Sequence, residues 1–280
     1  MKYLLFIISL IGQLLFATYL QAQQMPVSAG AESRALGHVR VSVDNVNNVL
    51  NNPSLLGQAK KIQFSANYQN LFSSSFLHAI SATAQGVFFK GGWGVAWQRF
   101  GSALYSEHRL SWGYGHQLEG VSLGVSGQYL QMQAQGERSF GAFLANAGVM
   151  TRLYPKLALG AVFHNIFQAK AGENLSQQIP SFIAIGLLYQ PYDKVRIHTE
   201  IEKELLSKVA LKAGLAWEVL PALDLRAGFV TEPFLTSLGL GLRSGAFLID
   251  YGVSLHPMLP LSHALSLSFS PQKNKKTHAQ

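Results

Sequence analysis

The sequence predicts a transmembrane antiparallel β-barrel of about fourteen strands with a short N-terminal plug, and three observations carry that prediction. From Ile62 onward, apolar residues recur at period two, which places two different solvents on the two faces of each strand. Charged residues are 13% of the chain, against about 25% in ordinary globular proteins. The predicted connections alternate between tight turns and longer loops, as in bacterial barrels.

Composition narrows the class further. The 280 residues include 26 glycines and are 48% hydrophobic, yet after the N-terminus no apolar run is long enough to span a bilayer as a helix. The formal net charge of +8 is spread along the chain, apart from Lys273, Lys275 and Lys276 near its end. No basic stripe interleaves with aromatics, so nucleic acid is not an expected partner. The absence of cysteine removes lipoprotein acylation, a disulfide framework and thiol catalysis together.

The elements are taken in chain order. Met1-Lys2 forms a short positive region, Tyr3 to Phe16 an apolar one, and Gln21-Ala22 a cleavage site, so residues 1–22 read as a signal peptide. Their apolar core falls short of the ~20 residues a spanning helix needs. Residues 23–57 form a segment of a different kind from the strands. Asp44 is placed as an N-cap, with Val46, Val49 and Leu50 at helical spacing and Asn52-Pro53 ending the run. The small inward residues Gly94, Ala96, Gly113, Gly115 and Gly124 leave volume for such an element, so 23–57 reads as a hatch inside the barrel. A periplasmic linker is the alternative.

Residues 58–270 carry the strands. Ile62, Phe64, Ala66 and Tyr68 alternate with Gln63, Ser65, Asn67 and Gln69, and the pattern sharpens through Leu211, Leu225, Leu240 and Ile249, which should face lipid, with Leu225 near the bilayer middle. Tight turns are expected at 90–92, 117–119, 191–194, 221–222 and 244–245, and longer loops at 71–76, 101–106, 134–139 and 168–179. Trp93, Trp97, Tyr114, Tyr189 and Trp217 are placed near strand ends, where interfacial girdles lie. Residues 271–280 form a basic periplasmic tail. The implied location is the outer membrane of a Gram-negative cell, with lipid as the first partner.

Three segments stand out ahead of the strands: Gly30-Ala-Glu-Ser-Arg-Ala-Leu-Gly37, Val39-Arg-Val-Ser-Val-Asp44 and Asn51-Asn-Pro-Ser-Leu-Leu56. Near the C-terminus stand Leu225-Arg-Ala-Gly-Phe229, Gly239-Leu-Gly-Leu-Arg243 and Ile249-Asp-Tyr-Gly-Val253. Together they resemble the PorV/PorQ family of Bacteroidetes outer-membrane proteins, which is related to the FadL-like long-chain fatty-acid transporters. The resemblance implies a fourteen-stranded barrel with an N-terminal plug. It also implies either a scaffold role beside type IX secretion, with secretion-system proteins as partners, or passage of a hydrophobic small molecule. The chain departs from the family in its short outer loops and in extending past Phe269.

No enzyme is expected, and no metal or cofactor. Gly120-Val-Ser-Leu-Gly124 fits G-x-S-x-G, but it lies inside an alternating strand rather than at a strand-to-helix elbow. His164-Asn165 has no serine or acid tied to it by spacing, and a structural role is favoured. The inward charges Arg196, Glu200, Lys212, Asp224, Arg226 and Asp250 are the more informative set. In a narrow lumen they should pair across strands, either as a rigid wall or as a selective constriction.

Overall fold

The computed structural model describes residues 30–136, 138–171, 177–205 and 207–271. The expected signal peptide, residues 1–22, and positions 272–280 of the expected tail lie outside the described residues. Fourteen strands close into one antiparallel barrel. In chain order they are β1 (Gln63–Asn70), β2 (His78–Phe88), β3 (Gly91–Gly101), β4 (Tyr105–Leu118), β5 (Val121–Ala134), β6 (Phe140–Tyr154), β7 (Leu157–His164), β10 (Phe182–Tyr192), β11 (Val195–Glu204), β12 (Val209–Leu220), β13 (Leu223–Thr231), β14 (Phe234–Ser244), β15 (Phe247–Leu255) and β16 (Ser262–Phe269). The two-residue strands β8 (Lys170–Ala171) and β9 (Gln177–Gln178) pair with each other inside the β7–β10 connection. β1 closes the ring by pairing with β16, from Phe64 opposite Phe269 to Asn70 opposite His263.

One end of the barrel carries two-residue turns such as Phe89-Lys90, Asp193-Lys194 and Pro221-Ala222, together with the start of β1 and the end of β16. The other end carries the longer connections, 71–77 and 165–181 among them, although 232–233 is short there too. Observed turns fall within one or two residues of the predicted ones; Pro155-Lys156 is an additional one.

The alternation has a physical partition behind it. Outward residues are apolar and accessible: Phe64 is 45% exposed, Leu211 48%, Leu225 42% and Ile249 43%. Inward residues are polar and buried, among them Gln85, Ser111, Gln128, Asn146, Glu200 and Asp250. This inverts the soluble pattern and matches a surface solvated by hydrocarbon. Trp93, Tyr114, Tyr189 and Trp217 lie towards the turn end of their strands, but Trp97 is mid-strand, so it is not a girdle residue.

Leu225 also departs from its expected depth, since it is the third residue of β13 and pairs with Trp217 near the turn end. The outward residue at the middle of this wall is Leu215. Leu215→Arg is therefore expected to cost about 2–4 kcal/mol, falling towards zero nearer the ends. Heat-modifiable gel mobility should show the loss; full retention of the compact band would contradict this register.

Residues 30–59 run inside the ring. They form α1 (Ala31–Ala35), α2 (Asn48–Asn51) and a 3-10 turn (Pro53–Gln58), joined by extended and turn segments. Leu36, Val39, Val41, Val49, Leu55 and Leu56 are almost wholly buried there. α2 is shorter than the spacing suggested: Asn47, not Asp44, stands at its N-cap position and makes no side-chain capping bond. Asp44 instead accepts from the Asn48 side-chain amide at 2.8 Å. Proline explains the break: α2 ends at Asn51, and Pro53 opens the 3-10 turn, where its missing N–H costs nothing.

Candidate functional site: the enclosed segment and the lumen

Close approach between segment and wall is what the inward glycines provide. A Cβ on Gly94 would sit 2.8 Å from Leu56 Cδ2 and 2.9 Å from Val49 Cβ, and one on Gly113 3.2 Å from Val49 Cγ2. At Gly124 a Cβ would overlap the backbone of Pro53 and Ser54. On the far side of the ring, Gly228 meets the backbone of Leu36 and Gly37. Leu50, by contrast, is only partly buried. Asn52 ties the segment to itself: its Oδ1 accepts from Ser54 N at 3.1 Å and Ser54 Oγ at 2.7 Å, while Nδ2 donates to the Val41 carbonyl at 2.7 Å.

The inward charges form two clusters rather than one, and each includes a residue of the segment. Towards the loop end, Lys212 Nζ lies 2.9 Å from Glu200 and 2.6 Å from Glu202. Arg40 reaches Glu202 at 3.3 Å. The second Glu200 oxygen accepts from the backbone N–H groups of Arg40 and Val41, both at 2.8 Å. Towards the turn end, Arg226 lies 2.6 Å from Asp250, 3.3 Å from Asp224 and 3.3 Å from Glu32 of α1. Arg196, at 3.8 Å, and Arg243, at 3.5 Å, add to Asp224 from the mouth, where both are more than a third exposed. Burial opposes the charge of Glu32, but Arg226 and then Arg196 hold its carboxyl below the ordinary range.

Two cavities flank the segment. One of about 210 Å³ opens at the turn end, lined by Glu32, Asp44, Val46, Arg196, Arg226 and Asp250 among others. The second, of about 100 Å³, lies towards the loop end between the segment and the wall. Leu71, Phe72, Val230, Pro233 and Leu235 give it apolar sides, and Arg34, His38, Arg40, Glu202 and Lys212 its polar ones. On β5 and β6, also at the loop end, Leu130, Met132, Ala142 and Leu144 pack with Ala171 and Ile179 of the long β7–β10 connection.

Sequence spacing placed the six wall charges on one inner surface but did not divide them. It missed Glu32 and Arg40, whose roles depend on how the segment is threaded through the ring. An arginine and a glutamate in a segment otherwise read as packing were the available signal. Ser122 lies within β5, almost fully buried, and accepts from Gln58 at 3.2 Å, so no nucleophile elbow exists there. His164 stacks on Phe182 with ring centroids 4.8 Å apart. Asn165 holds the β7–β10 connection, accepting from Ala169 N at 2.8 Å and donating to the Ile179 carbonyl at 3.1 Å. Among the described residues, no three His, Cys, Asp or Glu side chains are grouped to hold a metal ion.

No family model matches the chain. No curated protein matches it either. Solved structures do match in fold. The Ralstonia pickettii toluene transporter TbuX aligns with a TM-score of 0.63 at 12% identity, over 87% of this chain and 98% of that one. The Pseudomonas putida toluene transporter TodX gives 0.65 at 13% identity, over 86% and 97%. A Pseudomonas aeruginosa FadL homologue gives 0.60 at 10% identity, over 86% and 97%. At these identities the likeness is one of architecture.

Proposed function

We propose that this chain is a non-enzymatic channel of a Gram-negative outer membrane, that it passes small hydrophobic solutes, and that residues 30–59 are its plug. The observation that carries the reading is the apolar-sided cavity between segment and wall. A barrel serving only as a scaffold has no need of one. The outward apolar surface supports the membrane location, and the tight turns support a periplasmic position for the turn end. The two ion-pair clusters act as fasteners that hold the plug against β11–β15. The toluene transporters of like architecture agree with this solute class. A scaffold role in type IX secretion rests on the motif resemblance alone.

Deleting residues 23–57 tests the plug. The inner wall is polar, so the empty shell should fill with water and still fold. Planar-bilayer conductance and toluene uptake into reconstituted liposomes should both rise clearly. Unchanged permeability in a folded shell would show that the segment blocks nothing.

A further inference from the structure

Arg34 is the unusual charge of the lumen. It is 5% exposed, and its Nε has no hydrogen-bond partner. Its Nη2 donates to the neutral Gln69 amide at 3.0 Å. Among the described residues it takes part in no ion pair, whereas Lys212 and Arg40, which line the same cavity, are matched by Glu200 and Glu202. Glu232 lies on the exposed rim and forms no ion pair there among the described residues. Burial lowers the Arg34 guanidinium to about 10, which still leaves it protonated at neutral pH. His38 beside it is held well below its ordinary value, first by burial and then by Arg34, so it stays neutral. A buried cation with no counter-charge is unfavourable, and its planar fork fits a carboxylate with two parallel hydrogen bonds.

The cavity limits what would bring that counter-charge. About 100 Å³ is well under the ~300 Å³ at which pockets for drug-sized ligands begin. Its sides are Leu71, Phe72, Val230 and Leu235. We infer that Arg34 and these walls form a binding site for a small hydrophobic monoanion, a carboxylate carried on a single ring or a short chain. The inference rests on the transport reading and narrows its solute class: the plug itself selects acids over neutral hydrocarbons.

Calorimetric titration of the full chain in lipid nanodiscs tests it, with 4-methylbenzoate, 4-methylbenzamide and toluene as probes. The acid should bind at least tenfold more tightly than the amide. Arg34→Gln should abolish that preference and leave toluene affinity within about twofold; Arg34→Lys should keep part of it. An unmodified protein without preference for the acid would overturn the inference. So would an Arg34→Gln protein that loses acid and toluene binding equally, since Arg34 would then only shape the plug. If the variant fails to fold, the acid–amide comparison on the unmodified chain decides. Toluene bound and passed without acid preference leaves the transport reading standing, whereas failure of all three probes removes both.

Discussion

Arg226→Leu is expected to destabilise the protein by about 3–5 kcal/mol, because it strands several buried carboxylates at once. Asp250, Asp224 and Glu32 all lie within 3.3 Å of that guanidinium. Arg196 and Arg243 reach only Asp224, so Asp250 and Glu32 would keep no cation among the ion pairs of the described residues. Two consequences should separate in measurement. The wall should melt at lower temperature, since Asp250 and Asp224 belong to β15 and β13. The plug should also loosen, since Glu32 is the contact from α1, and conductance should rise below the melting transition. Asp224→Asn should be milder, about 1–3 kcal/mol, because Arg226 retains Asp250 and Glu32. The Glu32 carboxyl titrates below its ordinary value when folded, so its contribution is present above that ordinary value and is lost as pH falls through the lowered one. A melting temperature unchanged by Arg226→Leu would show that the cluster fastens nothing.

Gly124→Val should expel or displace the plug while leaving the strand register intact. A Cβ at that position falls on the backbone of Pro53 and Ser54, so no rotamer change can relieve it. Overpacking of this kind costs typically 1–3 kcal/mol, and more where backbone must move. Opposite Gly124 in the sheet stand Gly115 and Gly148, so the wall itself has room and the strain falls on the plug. Single-channel recording should show larger conductance, and limited proteolysis should cut between Asn47 and Gly57 in the variant only. A closed, protease-resistant variant would mean that the plug yields elsewhere without opening.

What the sequence determined is the shell. Period-two alternation at Phe64, Leu211 and Ile249 can be read locally because each strand is a two-sided ribbon between fixed solvents, so facing is set by position alone. The small inward residues Gly94, Gly113 and Gly124 indicated in the same way volume that an enclosed segment could fill, and the structure brings Val49, Pro53 and Leu56 against them. Depth was legible only roughly: Leu225 and Trp97 face as expected, yet neither lies at the height the alternation suggested, because a period fixes facing and not the start of a strand. Only the tertiary structure decided how residues 30–59 thread the ring. That path splits the six wall charges into two clusters, brings Glu32 to Arg226 and Arg40 to Glu202, and leaves Arg34 without an ion pair among the described residues, beside a cavity with apolar sides. The physical reason is separation along the chain: these contacts join residues roughly 160 and 190 positions apart, and what a buried charge does is set by the partner that closure of the ring delivers to it.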